Sequence, residues 1–190
     1  MIRDLITDKT YLDDIVCNSW EELVDIGAGL LVSQGSVEPA FIQSIKDTVK
    51  EFGPYMVVVD DLAFFHGRPE AGVRELSMSL VLLREPVYLE GKRILAAIVF
   101  AATDNKSHLE IMRELGGFLQ DEEFLSLLRS HGAKSAIMNK IQEGAQTLRV
   151  RANSIWVAIR KSAAMWFSCM SHASCTRPLM IRLIQAAMFE

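Results

Sequence analysis

Three short apolar runs in the middle of the chain constrain its fold most. "YMVVVD" at residues 55–60, "SMSLVLLR" at 77–84 and "ILAAIVFAA" at 94–102 are rich in β-branched residues and bounded by turn residues. Short apolar runs of this kind are typical of strands that are buried on both faces. Because helical spacing precedes and follows them, we predict an α/β fold, a three-layer α/β/α sandwich with a mixed central sheet.

Start and stop signals bound the predicted helices. Two capping boxes, Ser19 with Glu22 and Ser107 with Glu110, mark helix starts, and Gly53 marks a helix end. The predicted helices lie at residues 20–35, 39–53, 107–120, 121–132 and 133–144.

Composition excludes several classes of protein. A chain of 190 residues, half of them hydrophobic, is long enough for one well-buried domain. The net charge of -4 argues against a nucleic-acid partner. The charged N-terminus is not a secretory signal, and three cysteines without CxxC spacing give neither a disulfide framework nor a zinc site. We therefore expect a cytoplasmic protein without nucleic acid.

The charge balance changes near residue 148. Residues 1–148 contain 14 Lys and Arg against 23 Asp and Glu, whereas residues 149–190 contain 6 against 1. We assign residues 1–146 to one domain and residues 147–190 to an atypical basic and apolar tail. The tail is either an amphipathic segment for a membrane surface or a non-native end without function, and we favour the second interpretation.

The stretch "LAFFHGRPEAGV" draws attention to one of only four histidines. The apolar residues indicate a buried element, while Gly67 and Pro69 make the chain turn, so His66 should lie where that element meets solvent, after a strand and a short loop. A neutral imidazole nitrogen can act there as a nucleophile or a base, with Arg68 nearby. The alternative is a turn histidine that is hydrogen-bonded to the backbone.

A second histidine lies at a predicted helix start. His108 follows the Ser107 cap, where backbone N–H groups and the helix dipole favour an anion and disfavour an imidazolium. A neutral imidazole at this position could donate to a phosphate carried by another histidine. The alternative is a histidine that faces water. We interpret His131 as structural, at a helix C-terminus, and we assign no role to His172.

Motifs of other active sites are missing. The sequence has no nucleophile elbow, GxGxxG, Walker loop or HExxH. Asp60 and Asp61 could in principle ligate a metal, but adjacent carboxylates on an extended chain point to opposite sides. We therefore predict no metal and no organic cofactor.

Two quoted stretches together resemble a known family. "FGPYMVVVDDLAFFHGRPEAGV" and "AATDNKSHLEIMRELGGFLQDEEF", with "SMSLVLLREPV" between them, resemble the EIIA components of the sugar phosphotransferase system. The similarity is to the mannitol/fructose-type superfamily, and most of all to its ascorbate-type branch. It covers residues from about Trp20 to Gly144.

The resemblance implies a phosphocarrier and its partners. The histidine matching His66 would accept a phosphoryl group from phospho-HPr and pass it to a cysteine of an EIIB component, and the one matching His108 would stabilise the phosphorylated state. By spacing, Lys50 matches a basic residue of the family, and Arg68 and Ser107 are further candidates for phosphate or partner binding. EIIC of the same permease is the remaining implied partner, and a homodimer is left open.

One loop departs from the family pattern. The family usually has Pro-Gly-x-Ala-x-Pro-His, whereas this chain has Asp60 and Asp61 in place of Pro-Gly and Phe65 in place of the second proline. If these carboxylates face the acceptor, they should repel an incoming phosphate and slow transfer. That expectation keeps open a second hypothesis, the EIIA-like regulatory module of a transcription regulator, and a more distant one, a hydrolytic enzyme with His66 as base.

Overall fold

The computed structural model describes residues 2–144, apart from the side chain of Asn105. All of them lie in one unit, Met1–Gln146, and the predicted tail lies outside the described residues. The strands are β1 (Tyr11–Ile15), β2 (Val57–Val59), β3 (Asp61–His66), β4 (Ser77–Leu89) and β5 (Lys92–Ala101). The helices are α1 (Ile2–Leu5), α2 (Trp20–Ser33), α3 (Ala40–Phe52), α4 (Asn105–Phe118), α5 (Glu122–Arg129) and α6 (Lys134–Glu143).

The five strands form one mixed sheet in the order β1-β4-β5-β3-β2. β1 runs parallel to β4 and β3 runs parallel to β5, whereas β4 with β5 and β2 with β3 are antiparallel pairs. His66 is in register with Phe100, so the carboxyl ends of β3 and β5 meet at one edge of the sheet. Helix α4 begins a few residues after β5 and therefore starts at that same edge.

Helices cover both faces of the sheet. Alternate residues of β3, such as Leu62 and Phe64, pack with Ile111 of α4 and Ile137 of α6 in one apolar cluster. The residues between them, such as Phe65, pack with the second cluster, which contains the buried sides of α2 and α3. The predicted α/β/α sandwich with a mixed sheet is confirmed.

Two helix boundaries lie where the sequence predicted them, and one does not. The Ser19 hydroxyl caps α2 by accepting from the amide of Glu22, and Gly53 ends α3 in the left-handed region at φ 77°. The predicted cap at Ser107 is wrong, because Asp104 caps α4 and Ser107 is already inside its first turn. Three competing cap residues within four positions explain the error.

The strand prediction missed part of the sheet. The run at residues 55–60 contains only the short strand β2, while β3 is a separate strand that we had interpreted as a loop before His66. β1 has the sequence YLDDI, in which two acidic residues hide the strand signal. Within residues 2–144 no helix is both long and apolar enough to cross a membrane.

Candidate functional site

His66 is the last residue of β3 and is buried, with 8% of its surface exposed. Its ring centroid lies 5.2 Å from that of Phe100, 6.0 Å from that of Phe64 and 6.2 Å from that of Tyr55. The chain turns directly after it, so the side chain lies at the boundary that the sequence predicted. It belongs to the strand itself and is not preceded by a loop.

The surroundings of His66 select its protonation state. Nδ1 lies 3.4 Å from the carbonyl oxygen of Phe64, which can only accept, so this contact favours the tautomer with the proton on Nδ1 and the lone pair on Nε2. Burial, together with the neighbouring His108, lowers the pKa of His66 from 6.5 to about 3, against the opposing effect of the Phe64 carbonyl. The ring is therefore neutral at physiological pH.

His108 lies in the first turn of α4, and its ring contacts the ring of His66. Its ring centroid is 5.5 Å from that of His66 at an interplanar angle of 69°, and 5.1 Å from that of Phe100. Burial lowers the pKa of His108 as well, which favours a neutral ring. The two histidines that the sequence singled out are thus brought together as a neutral, edge-on pair.

The first turn of α4 is organised by Asp104. Its carboxylate accepts from the Ser107 amide at 2.9 Å and from the Ser107 hydroxyl at 2.8 Å. These hydrogen bonds hold the pKa of Asp104 below its usual range. Ser107 was a candidate for phosphate or partner binding, and both its amide and its hydroxyl are bonded to this carboxylate.

The loop after His66 is fixed against α3. A Cβ at Gly67 would lie 2.9 Å from a ring atom of Phe41 and 3.1 Å from the Ser44 hydroxyl, so only glycine allows this close approach. The Arg68 amide donates to that hydroxyl at 3.0 Å, and the Arg68 guanidinium pairs with Glu51 at 3.2 Å. These contacts hold the chain directly after His66 in one conformation.

One of the two predicted basic residues lies on α3, and the other is paired with a carboxylate of that helix. Arg68 is about half exposed and its guanidinium is directed to Glu51. Lys50 is exposed in the last turn of α3, five residues before Tyr55, whose ring contacts that of His66. The segment that follows α3 thus contacts His66 through the ring of Tyr55.

The acidic residues of the variant loop lie elsewhere. Asp61 begins β3, and its carboxylate pairs with Arg93 at 3.2 Å and with Arg129 at 3.7 Å. His66 lies five positions further along the strand, about 16 Å away at 3.3 Å per residue. Of the two possibilities that the sequence left open, the structure favours the one in which Asp61 faces away from the acceptor. Within residues 2–144 no three His, Cys, Asp or Glu side chains gather into a metal-ligand set.

Comparison with known proteins identifies the family. The family model described as "Phosphoenolpyruvate-dependent sugar phosphotransferase system, EIIA 2" matches residues 5–144. The chain belongs to this EIIA family. A curated relative, the ascorbate-specific PTS system EIIA component of Escherichia coli K12, is 36% identical over an alignment of 145 residues, and the alignment covers 74% of this chain and 94% of the relative. The Salmonella choleraesuis counterpart gives the same identity and coverage.

Solved EIIA structures share the fold. The mannitol-specific cryptic phosphotransferase enzyme IIA CmtB of Escherichia coli is 28% identical, with a TM-score of 0.69 over 75% of this chain and 99% of that one. A putative PTS IIA (PtxA) from Streptococcus mutans is 25% identical, with a TM-score of 0.68 over 73% and 90%. A complex of mannitol enzyme IIA with phosphorylated enzyme IIB from Escherichia coli matches at 21% identity and TM-score 0.63, over 71% and 96%, and supports the fold alone.

Some residues of this EIIA site escaped the sequence reasoning. Phe64, Phe100 and Tyr55 surround the His66 ring, yet each carries only the ordinary signal of an apolar core residue. Asp104 was visible as a possible cap residue three positions before Ser107. Gly67 was interpreted as a turn residue, whereas the structure shows that its missing side chain matters for packing.

Proposed function

We propose that this EIIA component accepts a phosphoryl group from phospho-HPr on Nε2 of His66 and passes it to a cysteine of an EIIB component. The observation that carries the proposal is the state of His66. It is a buried, neutral ring whose Nδ1 faces the Phe64 carbonyl, so that Nε2 holds the lone pair. An imidazole in this state is a nucleophile at physiological pH.

The proposed transfer balances without an external base. The Nε2 lone pair forms a bond to phosphorus, the P–N bond of the donor phosphohistidine breaks, and its electron pair returns to the donor imidazole. The donor ring keeps its own proton and becomes neutral, while His66 keeps its Nδ1 proton and becomes a phosphorylated imidazolium. The Phe64 carbonyl, 3.4 Å from Nδ1, accepts from that proton and stabilises the positive ring.

Onward transfer reverses these bond changes. A thiolate of the EIIB partner attacks phosphorus, the P–N bond breaks, and its electron pair returns to Nε2 of His66. The ring is again neutral, which its apolar surroundings of Phe64 and Phe100 favour. Burial of the acceptor therefore makes the phosphorylated imidazolium a good donor, while the Phe64 carbonyl opposes this effect by stabilising the charged ring.

His108 is the proposed stabiliser of the phosphorylated state. Its ring centroid lies 5.5 Å from that of His66, close enough for a ring N–H to donate to a phosphoryl oxygen. A neutral ring can do so without the unfavourable interaction between a cation and the N-terminus of α4. His108→Ala should accept the phosphoryl group and hold it less well.

Basic side chains at the rim are proposed to meet the phosphate or the partner. Arg68 would exchange its exposed pairing with Glu51 for a phosphoryl oxygen, and an exposed ion pair contributes only about 0–1 kcal/mol. Lys50 is exposed in the last turn of α3, one residue before Glu51. Ser107 could join them only when Asp104 releases its hydroxyl or amide.

The remaining parts of the proposal rest on the family. We infer HPr, EIIB and EIIC of one permease as partners, a cytoplasmic location, and ascorbate or a related sugar as the transported substrate, since the curated relatives are ascorbate-specific. The regulatory alternative drew on acidic residues beside the acceptor. Since Asp61 pairs with two arginines at the other end of β3, that reason for preferring a sensor is removed.

The test is phosphoryl labelling through the donor chain. Incubation with phosphoenolpyruvate, EI and HPr should add one acid-labile, base-stable phosphoryl group, and His66→Gln should remove it. His131→Gln is the matched control, because His131 is an exposed histidine outside the pair, and it should label as wild type does. Persistent labelling of His66→Gln would reject His66 as the acceptor.

A further inference from the structure

Asp104 makes more contacts at the start of α4 than a simple helix cap. Its carboxylate accepts from the amide and the hydroxyl of Ser107 at 2.9 and 2.8 Å, and from the Thr103 hydroxyl at 3.1 Å. Its backbone carbonyl accepts from the His108 amide at 3.0 Å. Asp104 therefore holds both residues that the site would present to a phosphate from this helix.

The position of the His108 ring depends on this cap. Asp104 lies midway along the chain between Phe100, at the end of β5, and His108. The His108 ring is 5.1 Å from the Phe100 ring and 5.5 Å from the His66 ring. His108 lies in the first turn of α4, so fraying of that turn on loss of the cap would release the His108 ring from its place beside His66.

The cap of Asp104 favours the phosphorylated state of His66, but the negative charge of its carboxylate disfavours that state. A phosphoryl group on nitrogen carries close to two negative charges, and it would arrive at the edge of the sheet where α4 begins. A carboxylate there repels it and also occupies the Ser107 donors that could bind its oxygens. The cap geometry thus favours the phosphorylated state, while the cap charge disfavours it.

We propose that Asp104 is a positioning residue that sets the phosphoryl-transfer potential of His66: its side-chain cap holds His108 beside the acceptor, and its charge keeps the phosphoryl group ready to leave. This inference rests on the proposed phosphorylation of His66. It assigns to Asp104 a function in tuning the carrier, so that the group is accepted from HPr but not retained.

Two substitutions separate the geometry from the charge. Asp104→Asn keeps a cap, since an amide oxygen can accept from the Ser107 amide and the amide nitrogen can donate to the Ser107 hydroxyl. Asp104→Ala removes both the cap and the charge. The readout is the ratio of phosphorylated to unphosphorylated EIIA at a fixed ratio of phospho-HPr to HPr.

Asp104→Asn should shift this equilibrium towards phosphorylated EIIA by up to about fivefold, the upper end of the effect of one exposed carboxylate, and added salt should reduce the difference from wild type. The ratio of phosphorylated to unphosphorylated protein should be lower for Asp104→Ala than for Asp104→Asn, because Asp104→Ala no longer holds His108 beside His66. In a His108→Ala background, Asp104→Asn and Asp104→Ala should give the same ratio, since the cap acts through His108.

The matched control is the capping aspartate of α5. Asp121 accepts from the amides of Glu123 and Phe124 and lies beside Lys140, away from the histidine pair. Asp121→Asn and Asp121→Ala should lower the melting temperature and leave the phosphorylation ratio unchanged. A change in that ratio as large as for the Asp104 variants would show a general effect of helix caps and overturn the proposal.

The outcomes distinguish this inference from the function on which it rests. If wild-type protein is not labelled on His66, the proposed function is wrong and the inference with it. If wild type is labelled but Asp104→Asn gives the wild-type ratio at low and high salt, the charge effect is overturned alone. Equal shifts in Asp104→Asn and Asp104→Ala with intact His108 would overturn the positioning effect.

Discussion

At the scale of the residue, the burial of His66 makes stability depend on pH. Its pKa falls from 6.5 to about 3 on folding, so the unfolded chain binds a proton that the folded protein rejects. The stabilisation is fully present above the unfolded pKa and is lost as pH falls towards the folded one. Between about pH 7.5 and about pH 5, His66 should account for a loss of about 2 kcal/mol in the free energy of unfolding.

Denaturant unfolding at several pH values between about 7.5 and about 5 measures this loss in the free energy of unfolding. The interval lies above the usual pKa range of carboxyl groups, so the titration of Asp and Glu contributes little. His66→Gln should flatten the dependence, leaving a smaller slope of the same sign from His108, whose pKa is also lowered. An unchanged slope in His66→Gln would mean that His66 titrates alike in both states.

A second prediction at this scale concerns Gly67. A methyl group at this position would lie 2.9 Å from Phe41 and 3.2 Å from a side-chain atom of Ile45, so the loop or α3 must move. Gly67→Ala should lower the free energy of unfolding by about 1–3 kcal/mol and slow phosphorylation of the adjacent His66.

Gly29 in α2 provides the matched control. A Cβ added there meets no atom within 4 Å, and alanine favours a helix by about 0.5–1 kcal/mol over glycine. Gly29→Ala should therefore raise stability slightly and leave phosphorylation unchanged. If Gly67→Ala behaves like Gly29→Ala, the loop does not depend on its contact with α3.

At the scale of the element, the β2–β3 turn departs from the family pattern at a residue with positive φ. Asp61 replaces the glycine of the family pattern and still has a φ of 74°, a conformation that Asp tolerates better than most residues. Its carboxylate ties β3 to Arg93 on β5 and Arg129 on α5. The substitution thus adds a contact between layers at the end of the sheet away from His66.

Asp61→Asn should test this assignment. It keeps a residue that tolerates positive φ but weakens both ion pairs, so the melting temperature should fall by a few degrees, corresponding to about 1 kcal/mol. The initial rate of phosphorylation by HPr, and its dependence on salt, should stay within about twofold of wild type. A marked rise in that rate would show that this charge acts on the acceptor.

Some elements could be predicted from sequence, and others could not. β4 and β5 are continuous apolar runs with a clear strand signal, whereas β1 carries Asp13 and Asp14 and the start of β3 carries Asp61. The two histidines were found because imidazole beside a turn or helix start is chemically distinctive. Their shared contact with Phe100 depends on the register of β3 with β5, which a single sequence does not encode locally.

At the scale of the whole molecule, the layer order followed from the sequence because strands clustered between helices allow few arrangements. The basic tail remains a prediction, since residues 145–190 are not among the described ones. The family match ends at residue 144, and the match to the Escherichia coli relative covers 94% of that protein with 74% of this chain. Deletion of residues 147–190 should therefore leave the melting temperature and the phosphorylation rate unchanged. A clear loss of either would assign the tail to the domain.

The central claim is that Nε2 of His66 receives the phosphoryl group while Nδ1 stays protonated towards Phe64. Long-range ¹H–¹⁵N spectra of histidine-labelled protein, recorded before and after addition of phosphoenolpyruvate, EI and HPr, report this directly. We predict a neutral ring with a proton on Nδ1 before addition, and a single phosphorus-coupled nitrogen, Nε2 of His66, afterwards. Phosphorus on Nδ1 or on His108, or an unmodified His66 in the presence of fully phosphorylated HPr, would contradict the account.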